Sequence, residues 1–271
     1  MRSSLPGRVL VGMSPHSIYT SGIDMLKYCA ETCADHGIPI AVHVAETRAE
    51  SEYTMKGTGP IAKMRKDSFG YEPMITGMRP LQVLKSAGLL RKDTILAHCV
   101  HFNDDEIDSV ASSGASVAHC PRSNAYLGAG VAKLDRMRQV GIGIGLGTDS
   151  AASCLRLDFF EEMRFALGLH RAIAEDAGVL SAKDVLKLAT KGGADALGMG
   201  DVIGRLEPGM RADLIAVDLT GTLPGEDVHL SVITRTPNDI ILRLIDGSPV
   251  EPDIDSMQTE LQIFMERWTR E

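Results

Sequence analysis

The stretch IAVHVAET (40–47) ends an apolar run with a histidine and a carboxylate. A strand that only fills a core has no use for them there, whereas His43 and Glu46 could hold a metal ion or move a proton. Neighbouring short runs end the same way. His16 follows the first, His98 and His101 lie at the end of the third, His119 and Asn124 follow the fourth, and Asp149 closes the fifth. One histidine at a strand end more often satisfies packing than chemistry. A His or an Asp at the end of each of five successive runs is hard to ascribe to packing. Imidazole with carboxylate is the donor set for Zn2+ or a similar divalent ion.

Such residues need elements that bring them to one place. The runs RVLVGMS (8–14), IPIAVHVA (38–45), DTILAHCV (93–100), ASVAHCP (115–121) and GIGIGLGTD (141–149) read as buried parallel strands, apolar and bounded by Gly, Pro or Asp. Helical patterns lie between them at 21–37, 79–90, 103–114 and 131–141, the third with Asn103 as N-cap and Gly114 just past its end. Strand–helix alternation means βαβ units, and parallel α/β folds build active sites at the C-terminal ends of their strands. The stretch 48–78 breaks the rhythm, and reads equally well as a lid over the site or as a surface elaboration. Two more helices are expected at 155–178 and 181–198, the latter with Ser181 and Asp184 as a capping box. Then the texture turns β-rich: a turn and strand in 204–219, two strands around Asp246-Gly247 in 239–250, and a helical tail over 251–271. The expected domains are residues 1–199 and 200–271.

Composition narrows the partners. The chain has 271 residues and a formal net charge of −8, which disfavours a nucleic-acid backbone as partner. No run of about 18 apolar residues marks a membrane span. The N-terminal apolar stretch is too short for a signal peptide. Five cysteines without a CxxC pair fit reduced thiols in the cytoplasm. Cys29 and Cys33 share one helix face and read as packing.

The motifs MSPHSIYT, HVAET, LAHCVHF, AHCPRSN, GLGTDSAAS and GRLEPGMRADLIAVD, in this order, resemble the amidohydrolase superfamily, in its cytosine/adenosine-deaminase-like and chlorohydrolase-like branch. They are similar to deaminases of S-adenosylhomocysteine, methylthioadenosine and aminofutalosine. The resemblance covers nearly the whole chain. It implies an α/β fold, a partial (β/α)8 TIM-type barrel made of the equivalents of strands four to eight, with part of a small β-sandwich. It implies His43 and Asp149 as ligands of one divalent metal, Zn2+ first, with Fe2+ or Mn2+ possible. Glu46 would give a proton to a ring nitrogen and contact substrate. Asp149 would take a proton from water and pass it to departing ammonia. His98 would orient the water or leaving group and stabilise charge, and His16 would touch the substrate. Ser123 and Asn124 match a turn of architectural role, and packing is the favoured reading for His101 and His119. His36, His170 and His229 are not expected to be catalytic. The implied reaction is hydrolytic deamination of a purine nucleoside, by an enzyme expected to be a homo-oligomer at full length.

The resemblance also implies a His-x-His pair on the first barrel strand, and no such pair occurs in the sequence. The first motif, SPHS, corresponds to barrel strand four. The chain is therefore expected to be a piece of a longer protein; a subunit completed by another chain and a degenerate relative are the other readings. On its own it is expected to bind metal weakly and to have little or no activity. A triazine or guanine hydrolase is the alternative within the class, and a non-catalytic barrel half the alternative outside it. Retention of both Glu46 and Asp149 argues against decay.

Overall fold

The computed structural model describes residues 9–73, 75–223 and 225–250. The expected tail helix at 251–271 and the first residue of the first run, Arg8, lie outside the described residues. Helices α1 (Ile18–Ser21) and α2 (Ile23–His36) precede β1 (Ile40–Val44). Then α3 (Arg48–Lys56), α4 (Gly59–Phe69) and α5 (Pro80–Ser86) lead to β2 (Thr94–His98), and α6 (Asp104–Ser113) to β3 (Ser116–His119). Next, α7 (Pro121–Tyr126) and α8 (Leu134–Gln139) lead to β4 (Ile144–Leu146). There follow α9 (Ala151–Cys154), α10 (Phe159–Ala174), α11 (Ala182–Lys187), a π-helical turn (Leu188–Gly192) and α12 (Gly193–Ala196). The chain continues through β5 (Leu214–Val217), α13 (Val228–Ile233), β6 (Ile240–Ile245) and β7 (Ser248–Pro249).

Strands β1 to β4 form a parallel sheet in sequence order. Val42 lies beside Leu96, Leu96 beside Val117, and Val117 beside Ile144. The strand runs are apolar throughout, yet burial alternates: Ile40, Val42 and Val44 are buried while Ala41 and His43 are half-buried. The expectation of fully buried strands therefore holds for β4 throughout, whereas β1 and β2 are buried on one face only. Helix α2 covers that face with Leu26, Cys29, Ala30 and Cys33, the i, i+3, i+4, i+7 stripe of an amphipathic helix. Both cysteines are free and buried, as packing requires. Asn103 caps α6 by accepting from Glu106 N at 2.8 Å, and the Glu106 side chain returns a bond to Asn103 N. Ser181 and Asp184 form the expected capping box on α11.

The expected first strand, 8–14, is not a regular strand. Only isolated parallel bridges, Met13 to Ile40 and Ser17 to His43, tie this segment to β1. Pro15 has no N–H to donate and His16 sits at φ 55°, so the ladder breaks between the bridges. The 48–78 excursion holds two helices, α3 and α4. The helix expected from 155 begins only at Phe159, where Asp158 caps it by accepting from Glu161 N at 3.1 Å. Asp246 and Gly247 make the expected hairpin turn at φ 55° and 76°, joining β6 to β7 in an antiparallel sheet with β5. Ile233 of α13 belongs to the main core, and Arg164 of α10 donates to the carbonyls of Ile233 (2.9 Å) and Arg235 (2.6 Å). Among the described residues no helix is long and apolar enough to cross a membrane.

The π-helical turn packs backbone to backbone on β4. A Cβ on Gly145 would lie 2.8 Å from Gly193 Cα, and one on Gly192 would run into the Ile144 carbonyl. Gly192 is helical (φ −60°, ψ −44°), so helix propensity alone favours alanine there by about 1 kcal/mol. The clash is with backbone, which cannot rotate away, and overpacking of this kind costs about 1–3 kcal/mol. Gly192→Ala is therefore expected to destabilise the fold, seen as a lower urea midpoint; an unchanged or raised midpoint would show that the packing yields.

Candidate active site

The strand exits converge. Side-chain donor atoms of His43, His98 and Asp149 all lie within 4.8 Å of one another. Each donor is fixed from behind, and in each case the partner is identifiable. His43 Nδ1 lies 2.9 Å from the His16 carbonyl, which can only accept, so Nδ1 carries a proton and Nε2 is the atom left to face the site. His98 Nδ1 donates to Asn124 Oδ1 at 2.8 Å, which likewise frees Nε2. Asp149 Oδ2 accepts from Ser123 Oγ at 2.6 Å and Ser153 Oγ at 2.7 Å, which leaves Oδ1. Burial pushes the Asp149 carboxyl up, but the Ser123 and Ser153 hydroxyls with the Ser150 N–H hold it below its usual range. It is therefore an anion at neutral pH.

Local sequence explains the placement. Pro121 starts α7, its missing N–H costing nothing there, and this places Ser123 and Asn124 in the first turn. One short helix thus braces two of the three donors. Helix α9 begins two residues after Asp149 and brings Ser153 back to its carboxylate. The exits themselves are strained: His16, Ala45, His98, Cys99 and Asp149 all have φ between 50° and 71°. At His98 the Cys99 N–H bonds back to the Ala97 carbonyl at 3.0 Å, a γ-turn with positive φ that is rare in proteins. Non-glycine residues in this region cost of order 1–3 kcal/mol each and collect at functional sites.

His16 and Glu46 complete the group. The His16 ring centroid is 4.7 Å from that of His43, which in turn is 5.1 Å from that of His98. Burial and the neighbouring His43 hold the His16 imidazole below its usual pKa, while Glu46 and Asp149 pull it up. The other four residues named for chemistry by the sequence are therefore all within electrostatic reach of His16. His101 is tied elsewhere, donating Nε2–H to the Ala129 carbonyl at 2.9 Å. His119 is buried and its Nε2 meets that of His170 at 2.9 Å. Burial pushes this pair down to about 3 and about 4, so both rings are neutral.

The donors suit a divalent ion. Two imidazoles and one carboxylate match the three-ligand sets of catalytic zinc sites. Their span slightly exceeds twice a Zn–ligand distance of ~2.1 Å, so binding would draw them inward. Partners behind each ligand, as seen here, are what fix tautomer and orientation in metal sites.

Comparison with known proteins now decides the family. The family model described as "Amidohydrolase family" matches residues 2–250. The chain belongs to the amidohydrolase family. It is 39% identical over 261 residues to a 5-methylthioadenosine/S-adenosylhomocysteine deaminase of Pelotomaculum thermopropionicum, covering 96% of this chain and 53% of that protein. This amidohydrolase chain thus spans about half the length of the curated relatives it matches. Among solved structures it is similar to an adenosine deaminase from Xanthomonas campestris with bound zinc (TM-score 0.83, 29% identity, 98% of this chain and 59% of that one). It is also similar to E. coli guanine deaminase (TM-score 0.75, 25% identity, 90% and 55%). Those neighbours are of TIM-barrel type, which the parallel sheet and flanking helices fit.

Three residues beside the site were not singled out from the sequence for chemistry, or only as architecture: Ser123, Ser153 and Glu50. Ser153 and Glu50 each lie four residues after a site carboxylate, Asp149 and Glu46. In a strand–turn–helix unit that spacing returns a side chain to the turn, and it was the available signal. Glu50 is 1% exposed. Its Oε2 accepts from Glu46 N at 3.0 Å, while Oε1 has no partner among the described residues. Burial pushes its carboxyl up to about 8, with the Glu46 charge adding to the rise and the N–H groups of Glu46 and Ala45 opposing it. The folded state thus holds a proton that the unfolded chain, with a Glu pKa of about 4.3, releases. Stability contributed by neutral Glu50 is present below about pH 4.3 and is lost as pH rises through about 8. Glu50→Gln keeps the acceptor and cannot ionise. Its urea midpoint should match the wild type near or below pH 4 and exceed it near pH 8.5. Parallel pH profiles for the two proteins would show that Glu50 is not held neutral.

Proposed function

We propose that this chain forms the strand-four-to-eight part of an amidohydrolase (β/α)8 barrel, with a small β-rich unit from residue 200, and that its site belongs to a metal-dependent deaminase of 5′-modified adenosines. The observation that carries this reading is the convergence of His43, His98 and Asp149, each fixed from behind, with Glu46 just beyond His43. The names of the relatives support the substrate class, and the zinc-bound neighbour supports the metal.

His43 Nε2 and Asp149 Oδ1 would hold the ion, with Zn2+ favoured by the two imidazoles and Fe2+ or Mn2+ served by the same donors. A divalent ion bound there supplies a water acidified toward neutrality. Asp149, kept ionised by its two serines, would accept a proton from the attacking water and pass it to the departing ammonia. Glu46 gives a proton to the ring nitrogen beside the amine-bearing carbon, which makes that carbon more electrophilic. His98, anchored through Asn124, offers Nε2 at the same point, as a further donor to the ion or, once protonated, to developing charge. His16 lies beside His43 and contacts the purine nucleoside.

The His-x-His pair that the resemblance implies is absent from the sequence, so zinc is expected to bind weakly and turnover to be slow. The test is ammonia release from methylthioadenosine, S-adenosylhomocysteine, adenosine and guanine by the zinc-supplemented chain. Glu46→Gln should lower any adenine-directed rate by about 10²–10⁴-fold, the usual contribution of a positioned acid. Asp149→Asn should abolish both the rate and the zinc binding. Activity on guanine alone, or a rate indifferent to Glu46→Gln, would overturn the reading.

A further inference from the structure

Arg122 stands next to Ser123 in α7, is 7% exposed, and does not face the site. Its guanidinium enters the segment between α9 and α10. Nη2 donates to the Cys154 carbonyl at 2.6 Å, and Nη1 to those of Arg156 at 3.0 Å and Asp158 at 3.4 Å. Glu161 (2.9 Å) and Glu162 (3.5 Å) balance its charge, and its own N–H donates to Glu162 Oε1 at 3.0 Å. One side chain thus joins α7, the loop and the start of α10.

The loop it grips is strained. Arg156 N–H bonds back to the Cys154 carbonyl at 2.9 Å, across a Leu155 held at φ 69°, ψ −40°. This is close to the γ-turn of positive φ, which a leucine seldom adopts. Leu155 is 62% exposed, so packing does not enforce the turn. The Arg122 bonds to the carbonyls on either side of Leu155 do. The turn follows directly on Ser153, whose hydroxyl binds Asp149 Oδ2, and Ser123 beside Arg122 binds the same oxygen.

We propose that Arg122 is a positioning residue for the Asp149 carboxylate: by clamping α7 to the strained turn at Leu155, it makes Ser123 and Ser153 close on the same oxygen. The proposal rests on the metal-site reading above. Lysine keeps the charge but offers one nitrogen in place of a planar fork, so it cannot serve three carbonyls and two carboxylates together. Glycine at 155 adopts the turn without strain, so less clamping is needed.

The experiment is titration of the full chain with Co2+, read by its visible absorption, for wild type, Arg122→Lys, Leu155→Gly, the double variant, Asp149→Asn and Asn103→Ala. Asn103→Ala removes a remote helix cap and serves as the control for general destabilisation. Arg122→Lys is expected to lower Co2+ affinity by about tenfold and to alter the spectrum, as loss of a supporting partner does in metal sites. The double variant should regain part of that loss, and Asn103→Ala should bind as wild type. If Arg122→Lys does not fold, the double variant is compared with Leu155→Gly, and weaker binding by the double variant is expected. Wild-type affinity in Arg122→Lys, or equal affinity in that second pair, overturns the role of Arg122 alone. Wild type binding no better than Asp149→Asn overturns the metal-site reading and this role with it.

Discussion

Hydrogen bonds on the far side of each donor are the constraint from which the rest of the site follows. A free imidazole or carboxylate samples several rotamers, and fixing it on binding costs free energy. Here the His16 carbonyl holds His43, Asn124 holds His98, and two serines hold Asp149. Each bond uses one atom and turns the other toward a common point. The supporting residues come from different elements, so sheet register, the start of α7 and the turn after β4 must all be correct before the donors agree. Packing defects far from the donors can therefore reach them through these partners.

The second theme is strain at the strand exits. Five non-glycine residues at these exits carry positive φ. In a strand that merely ended, glycine would serve at lower cost. A side chain with donor atoms is needed at three of these positions, so the backbone adopts the unfavourable conformation and the surroundings hold it there. Glu50, accepting from Glu46 N beneath the exit of β1, is one such support, and the bonds across the loop after α9 are another.

Much of this was legible in the sequence, for definite reasons. Four of the five strand runs, the N-cap at Asn103, the capping box at Ser181, and the Asp246-Gly247 turn follow from local rules of period and cap, and they stand where those rules put them. The polar residues at successive exits pointed to one site because parallel strands share one end. The first run makes only the Met13 bridge to β1, and Pro15 and His16 beyond it keep the pairing from continuing regularly to the Ser17 bridge. No helix is expected from the sequence in 48–78, where the structure has α3 and α4; α4 is mostly exposed and so carries little apolar periodicity. The bracing roles of Ser153 and Glu50 left only a weak trace, their spacing of four from a site carboxylate, because serine and glutamate are common at helix starts and three-dimensional placement separates a cap from a brace.

The spread of the site along the chain has a kinetic consequence. His16 and His43 lie near the beginning of the described sheet and Asp149 and Ser153 at its far edge, with three crossover connections between β1 and β4. Contacts between residues so distant in sequence form late, because the intervening loops must be closed before any bond rewards them. The His43–Asp149 juxtaposition is thus among the last features of the native state to appear. A collapsed intermediate could hold every helix and most of the sheet and still offer a cation nothing but scattered single ligands. Capture of a divalent ion at this point would report completed topology rather than secondary structure.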